Sequence, residues 1–351
     1  MAVRTSSETA LAGIEAALAD ERWAEARDSA ADLLAGDADD GIKARALLLS
    51  ARALWHLGQI EQVLQHALDS VLLARARDDQ ALQISASTLA TFSLAELGCA
   101  DAGLPLALRA LQATERANDG LYMLRPVALS CAAYVHACLA QAQQSEALHM
   151  EALSLAREGG SPEGLHMAFC NLALSLSLTH REALRRQDAS LAQVATAYAQ
   201  KHIPQLRRLA RDERLDRWRR VSLLHDLAEL LAFCGSVREA EALYRESLQE
   251  AEGQLTGYYA LNAKADLAEL LSAQGRHQEA FDLLAPAVAE AQDMQGGYRR
   301  WLLVLRALLS CCQALGLASE ARELQARMAA TELEFAAVRQ RVLARLAAAK
   351  P

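Results

Sequence analysis

The segment Asp226-Leu227-Ala228-Glu229-Leu230-Leu231 returns unchanged as Asp266 to Leu271. Each copy runs into a glycine, Gly235 or Gly275, and then into Glu-Ala, at Glu239-Ala240 and Glu279-Ala280, so two 40-residue blocks share one register. A fixed period of this size is the mark of stacked helical hairpins, units that bury their apolar faces only against neighbours. Such an array usually offers a surface for holding something and seldom supplies chemistry.

The same register extends over nearly the whole chain. Aligning each segment on its turn and the Glu-Ala that follows places equivalent first-helix positions at Ala12, Leu49, Leu89, Ala133, Asn171, Asp226, Asp266 and Ala307. The spacings are 37, 40, 44, 38, 55, 40 and 41 residues, so eight hairpins are expected, with one interval too long by about 15 residues. Six prolines in 351 residues and 5% aromatics, with alanine and leucine dominant, fit an all-α chain.

Within one unit, Val221, Leu224, Leu227, Ala228 and Leu231 recur at three- and four-residue steps and form one apolar face. Gly235 ends that helix, because a residue past the last turn takes the left-handed conformation cheaply only as glycine. Ser236-Val237-Arg238-Glu239 reads as a capping box opening the partner helix, and Ala240 and Ser247 are small where the two helices must approach. Gly58, Gly98, Gly275 and Gly316 repeat the turn, with Asp20-Glu21 serving the first hairpin and Ala142 the fourth.

Leu57-Gly58, Leu97-Gly98 and Leu315-Gly316, with Ala147, Ala240, Ala280 and Ala321, give the pattern a resemblance to the tetratricopeptide repeat. The standard repeat has about 34 residues. These longer units are similar to those of MalT-type transcription regulators and of the N-terminal sensor regions of bacterial diguanylate cyclases. HEAT-type repeats have similar periods and are the structural alternative. The resemblance implies an α-α superhelix whose first helices line a concave groove. It also implies a regulatory role in a bacterial signalling or transcription pathway. No output module follows the eighth hairpin, so a chain of this kind is expected to act on a separate partner.

Position matching then assigns the groove. It comprises His136 and Asn171 in the earlier hairpins, His225, Asp226, Glu229 and Phe233 in the sixth, Asn262, Asp266 and Glu269 in the seventh, and Arg306 in the eighth. Chaperone-binding members of the family hold a peptide carboxylate with Lys and Asn at such positions. Asp and Glu stand here, so a peptide or helix with basic and apolar groups fits better. A plainer reading is that Asp226 and Asp266 only tie one hairpin to the next.

The long interval suggests a division into hairpins 1–178, a basic segment 179–220, and hairpins with a final helix 221–351. Thr179-His180-Arg181-Glu182 reads as a helix start, and Pro204 as a bend or break. From His180 to Arg220 there are 11 Lys/Arg against 5 Asp/Glu, a local balance of +6, which leaves −14 elsewhere in a chain of net charge −8. Arg207, Arg211 and Arg214 are expected to share one helical face with Trp218 a turn further on, flanked by Arg208 and Arg217. This patch reads either as a site for a small anionic ligand, nucleotide or acidic partner, or as charges paired with Asp212, Glu213, Asp216 and neighbouring hairpins. The acidic remainder argues against nucleic acid.

Catalysis finds little support. The nine histidines are scattered, no metal-ligand spacing occurs, and nothing calls for a cofactor. The start of the chain has no charged-then-apolar leader, no apolar run approaches the roughly 18 residues of a membrane span, and seven unpaired cysteines point to a reducing cytoplasm. A final helix is expected over 319–349. Its apolar positions Leu324, Met328, Leu333, Phe335, Val338, Val342 and Leu346 exceed what one hairpin needs and read as a homodimer interface. The expected function is a non-catalytic scaffold or adaptor that binds a protein or peptide in an open groove, with a ligand sensor as the alternative.

Overall fold

The computed structural model describes residues 2–115, 119–159, 162–251, 257–290 and 297–348, and among them every regular element is a helix. The first hairpins are α1 (Ala2–Ala19) with α2 (Trp23–Ala35), α3 (Asp40–His56) with α4 (Ile60–Ala76), and α5 (Gln80–Glu96) with α6 (Ala100–Glu115). A four-residue turn of helix, α7 (Asp119–Tyr122), precedes α8 (Arg125–Cys138) and α9 (Ala142–Glu158). Then come α10 (Pro162–Arg186) with α11 (Ala189–Ala210) and α12 (Arg217–Phe233) with α13 (Val237–Ala251). The last pairs are α14 (Gly257–Ala273) with α15 (His277–Glu290) and α16 (Tyr298–Ala314) with α17 (Ala318–Ala348). Setting α7 aside, these are the eight hairpins that the register implies.

The turns close as the sequence pattern requires. Gly58, Gly98, Gly235, Gly275 and Gly316 all have positive φ. In the first and fourth hairpins Glu21 and Ala140 take that conformation instead. The fourth turn is therefore built on Ala140, and Ala142 is the first residue of α9. Gly98 has a second constraint besides its φ of 70°: a Cβ there would lie 3.2 Å from the Phe335 ring, so the turn also makes room for a distant helix.

Small residues let the paired helices approach. Ser247 is fully buried and its hydroxyl donates to the Val221 carbonyl at 3.0 Å; Ser70 does the same to Ala44 at 2.8 Å. Both links tie a second helix to the start of its own first helix across 26 positions. A buried hydroxyl without such a partner would be costly. First helices of successive hairpins pack on one another and form the inner layer, while second helices lie outside.

The long interval is spent on length. α10 runs unbroken through Thr179–Glu182, so no helix starts there, and the Thr179 hydroxyl donates back to the Ser175 carbonyl. α11 also continues through Pro204 without interruption. The helix ends at Ala210, so Arg211 and Arg214 lie beyond it and do not extend the face of Arg207. All seven cysteines are free, and Cys311 and Cys312 are fully buried packing residues.

The final helix is 31 residues long, and its last expected residue, Ala349, lies outside the described residues. Its first half completes the eighth hairpin through Ala321, Leu324 and Met328. Its second half returns to the second and third hairpins. Val338 and Val342 are buried there among Leu54, Ile60, Val63, Leu64, Leu94 and Leu97, with Leu346 at the edge. Phe335 stacks on Tyr298 at 5.6 Å. The apolar surplus is thus consumed within the chain, apart from Leu333, which is 74% exposed. The reason for expecting a dimer through this helix disappears. The array closes on itself.

Candidate functional site

The inner layer of the fifth, sixth and seventh hairpins carries a cluster of charges with little access to solvent. Asp226 and Asp266 occupy the same register position of α12 and α14, and both are buried, as is Glu229. Into this acid group α10 sends Arg181, four-fifths buried, with Nε 2.5 Å from Glu229 Oε1 and Nη2 2.7 Å from Asp266 Oδ1. His225 supplies the second cation, its Nε2 2.5 Å from Asp266 Oδ2 and its Nδ1 3.5 Å from Asp226 Oδ1. Three hairpins are joined by one guanidinium and one imidazolium.

The titration behaviour follows from this geometry. Burial alone would lower His225, but hydrogen bonds to Asp226 and Asp266 outweigh it and push it up to about 9. Burial would raise Asp266, yet the Arg181 charge and the His225 hydrogen bond hold it well below the usual carboxylate range. Asp226 is raised by burial, only partly offset by His225 and the Arg300 charge. Glu269, whose side chain reaches solvent at the rim, is pushed up to about 7 by burial of its inner portion and then by the charge of Asp266. Four carboxylates surround two strong cations, and two of the four resist ionisation.

The other inner-face residues disperse around this cluster. Phe233 stacks on His180 at 3.9 Å. Asn262 and Asn171 are half-buried on α14 and α10. Arg306 is exposed, pairs with Glu332 at 3.3 Å, and acts on Glu269 only through its charge. His136 lies far along the inner layer at the end of α8, with Nδ1 2.5 Å from the Gln141 side-chain oxygen.

The interior is not an open trough. His56 Nδ1 lies 2.7 Å from the Tyr259 hydroxyl, 203 positions away. The His56 ring stacks on Trp23 at 3.8 Å and meets the edge of Trp218 at 4.8 Å. The Trp218 backbone N–H donates to Glu21 Oε1 at 3.2 Å. Burial and then the nearby Arg219 charge lower His56 to about 3, so this ring stays neutral. From α16, the half-buried Arg299 reaches Cys138 of α8 at 3.9 Å, beside Glu96 and Tyr134, which bond to each other. The first hairpin therefore meets the sixth, the second meets the seventh, and the fourth meets the eighth through side chains across the interior.

The basic segment forms no cluster. Arg207 makes a bidentate pair with Glu239 at 2.8 and 2.5 Å, so the acid expected to close a capping box instead joins α11 to α13. Arg214 pairs with Asp212 at 2.8 Å, Arg219 pairs with Asp216 and lies over the Trp218 ring, and Arg220 approaches Glu250. Arg208, Arg211 and Arg217 are exposed, and Trp218 is half-buried in the aromatic contact with His56. Among the described residues no group of His, Cys, Asp and Glu could hold a metal, and no helix is long and apolar enough to cross a membrane.

The register places the acids and His225 on one face but gives no sign of the principal cation, Arg181. Arg181 lies within the Thr179–Glu182 capping pattern, yet it stands ten residues beyond the groove position Asn171, almost three helical turns, which a 25-residue first helix makes part of the inner layer. His56 with Tyr259 and Arg299 with Cys138 pair across hairpins far apart in sequence, where a nearest-neighbour register gives no signal.

No family model matches the chain, and no curated protein matches it in sequence. Solved structures do match. A Rap protein complexed with Competence and Sporulation Factor covers 95% of this chain over 99% of its own length, at 11% identity and a TM-score of 0.51. NprR in complex with its cognate peptide NprX covers 91% of this chain over 86% of its own, at 14% identity and a TM-score of 0.53. At such identities a likeness carries architecture alone. By register, turn chemistry and structural likeness together, this chain folds as a tetratricopeptide-type α-α superhelix.

Proposed function

We propose that the chain is a non-catalytic scaffold that holds a protein or peptide partner against its inner helix layer, with a basic side chain of the partner set beside Glu269. The observation that carries this reading is the surplus of carboxylate in the α10–α12–α14 cluster. Arg181 and His225 satisfy Asp266 and Glu229, and Glu269 remains at the solvent edge with a poorly favoured negative charge. A guanidinium or ammonium arriving there would relieve that cost and gain a charge-assisted hydrogen bond. The half-buried Asn262 and the Phe233–His180 stack offer polar and flat apolar contacts on the same inner layer. Two proteins of this fold were solved with such molecules bound, one with a cognate peptide and one with Competence and Sporulation Factor, which supports a peptide-holding role. A regulatory task in a bacterial signalling or transcription pathway, in the cytoplasm, is the setting we infer.

The test must spare the residues that hold the array. Asp266 and Glu229 are paired inside it, so replacing them would confuse binding with folding. Glu269→Gln and Asn262→Ala leave the buried pairs intact. Peptides selected on the wild-type chain from a random library should be enriched in Arg or Lys and should lose tenfold or more in affinity on Glu269→Gln. Equal retention of every selected peptide by that variant would remove the inner face from consideration.

A further inference from the structure

The second helices α2, α4, α6, α9, α13 and α15 are 13 to 17 residues long, whereas α17 has 31. Part of the surplus still touches its own hairpin, through Arg306 with Glu332 and Tyr298 with Glu334 and Phe335, but the rest serves other hairpins. From about Thr331 onward it presents Phe335, Val338, Val342 and Leu346 at helical spacing to the face of the second and third hairpins. Beside that apolar stripe run two ion pairs, Arg341 with Glu61 at 3.2 Å and Arg345 with Asp69 at 3.0 Å. The receiving face has an apolar floor of Ile60, Val63 and Leu97, an acidic flank of Glu61 and Asp69, and Gly98 cleared for the Phe335 ring. This is the geometry of an amphipathic helix lying in a groove, with both partners in one chain.

We propose that this face is a docking groove for a basic amphipathic helix of a partner protein, and that the second half of α17 is a tethered competitor that occupies it until displaced. Three observations carry the assignment. The groove's pattern of apolar floor and acidic flank is complementary to any helix repeating the α17 arrangement of apolar and arginine positions. The flanking ion pairs are exposed on both sides, so they guide register more than they hold the helix down. Only Val338 and Val342 of this stretch are buried against the distant hairpins, a thin contact beside the layers that join neighbouring hairpins. The same displacement would free the last helix from the second and third hairpins. The proposal concerns the α4–α5 face and stands whether or not the region around Glu269 holds a peptide.

A synthetic peptide of residues 331–348 serves as the probe, titrated by fluorescence anisotropy into the full-length chain. In the wild type the tethered copy competes at high effective concentration, so binding should be weak. V338D puts a charge where α17 is fully buried, and R341E/R345E reverses both flanking charges. Each releases the tethered helix by a different route, so a folding failure of one leaves the other to decide. Both should bind the peptide at least tenfold more tightly than the wild type does, and adding E61R/D69R should abolish that gain. Equal affinity for wild type and released variants, absence of binding to all of them, or indifference to E61R/D69R would overturn the proposal. So would dimers of the released chains that refuse excess peptide, because the groove would then serve a second copy.

Discussion

Arg181 of α10 places its guanidinium 2.7 Å from Asp266 of α14, so the fifth hairpin grips the seventh across the sixth, which contributes Glu229 to the same guanidinium. Repeat arrays ordinarily bond each unit to its neighbour alone. Here one side chain spans two interfaces, and its removal would leave two buried carboxylates without their principal cation.

Arg181→Ala should therefore be among the most damaging single changes in the chain. Breaking one side of a buried ion pair typically costs about 3–5 kcal/mol. Urea unfolding followed by circular dichroism should show a midpoint shift of that order. A loss under about 1 kcal/mol, the usual worth of an exposed pair, would mean that water reaches the cluster freely.

His225 gives the cluster a pH dependence of defined sign. Its folded value of about 9 lies above the ordinary 6.5, so the stabilisation is fully present below about pH 6.5 and is lost as pH rises through 9. His225→Gln should cost most near pH 6 and least near pH 10. A stability gap between the two chains that is flat from pH 6 to 10 would show that the ring is neutral throughout.

Glu269 should behave in the opposite sense. Its folded value of about 7 exceeds the ordinary 4.5, so ionisation is harder in the folded chain and a penalty grows between those two values. Glu269→Gln should be neutral at pH 4 and stabilising at pH 8, by on the order of 1 kcal/mol once solvent screening of its exposed portion is allowed for. Destabilisation at pH 8 would mean that its charge is already compensated.

Gly98→Ala and Gly235→Ala form a matched pair. Both residues have positive φ, 70° and 85°, and share the strain of a side chain in the left-handed region, about 1–2 kcal/mol. Only at Gly98 would the new methyl also press on Phe335 and Arg339, at 3.2 and 3.3 Å; nothing lies within 4 Å at Gly235. The Gly98 variant should lose more stability. Equal losses would show that α17 yields its place at no cost.

What the sequence displayed and what it concealed divide along a physical line. Hairpin count, the glycine turns and the small residue at Ser247 were legible because each is set by contacts within one hairpin, and those contacts repeat; the fourth turn, built on Ala140 without a glycine, was not. Asp226 and Asp266 stood out for the same reason, recurring at one register position. Arg181 was hidden because its partners lie 48 and 85 positions ahead. The surplus apolar positions of α17 were visible, but nothing in a local pattern tells whether such a stripe meets another molecule or an early part of the same one. Arg207 and Arg214 looked like a patch because the helix was carried four residues too far; its end at Ala210 turns them toward Glu239 and Asp212.

The seating of Val338 and Val342 on the second hairpin alters how this repeat protein should come apart. An open stack frays from its termini, losing one unit at a time with the interior intact. With the last helix resting on the second unit, the stack is a loop in energetic terms. Loosening either terminus reaches the other by the short way round, and melting becomes a shared event.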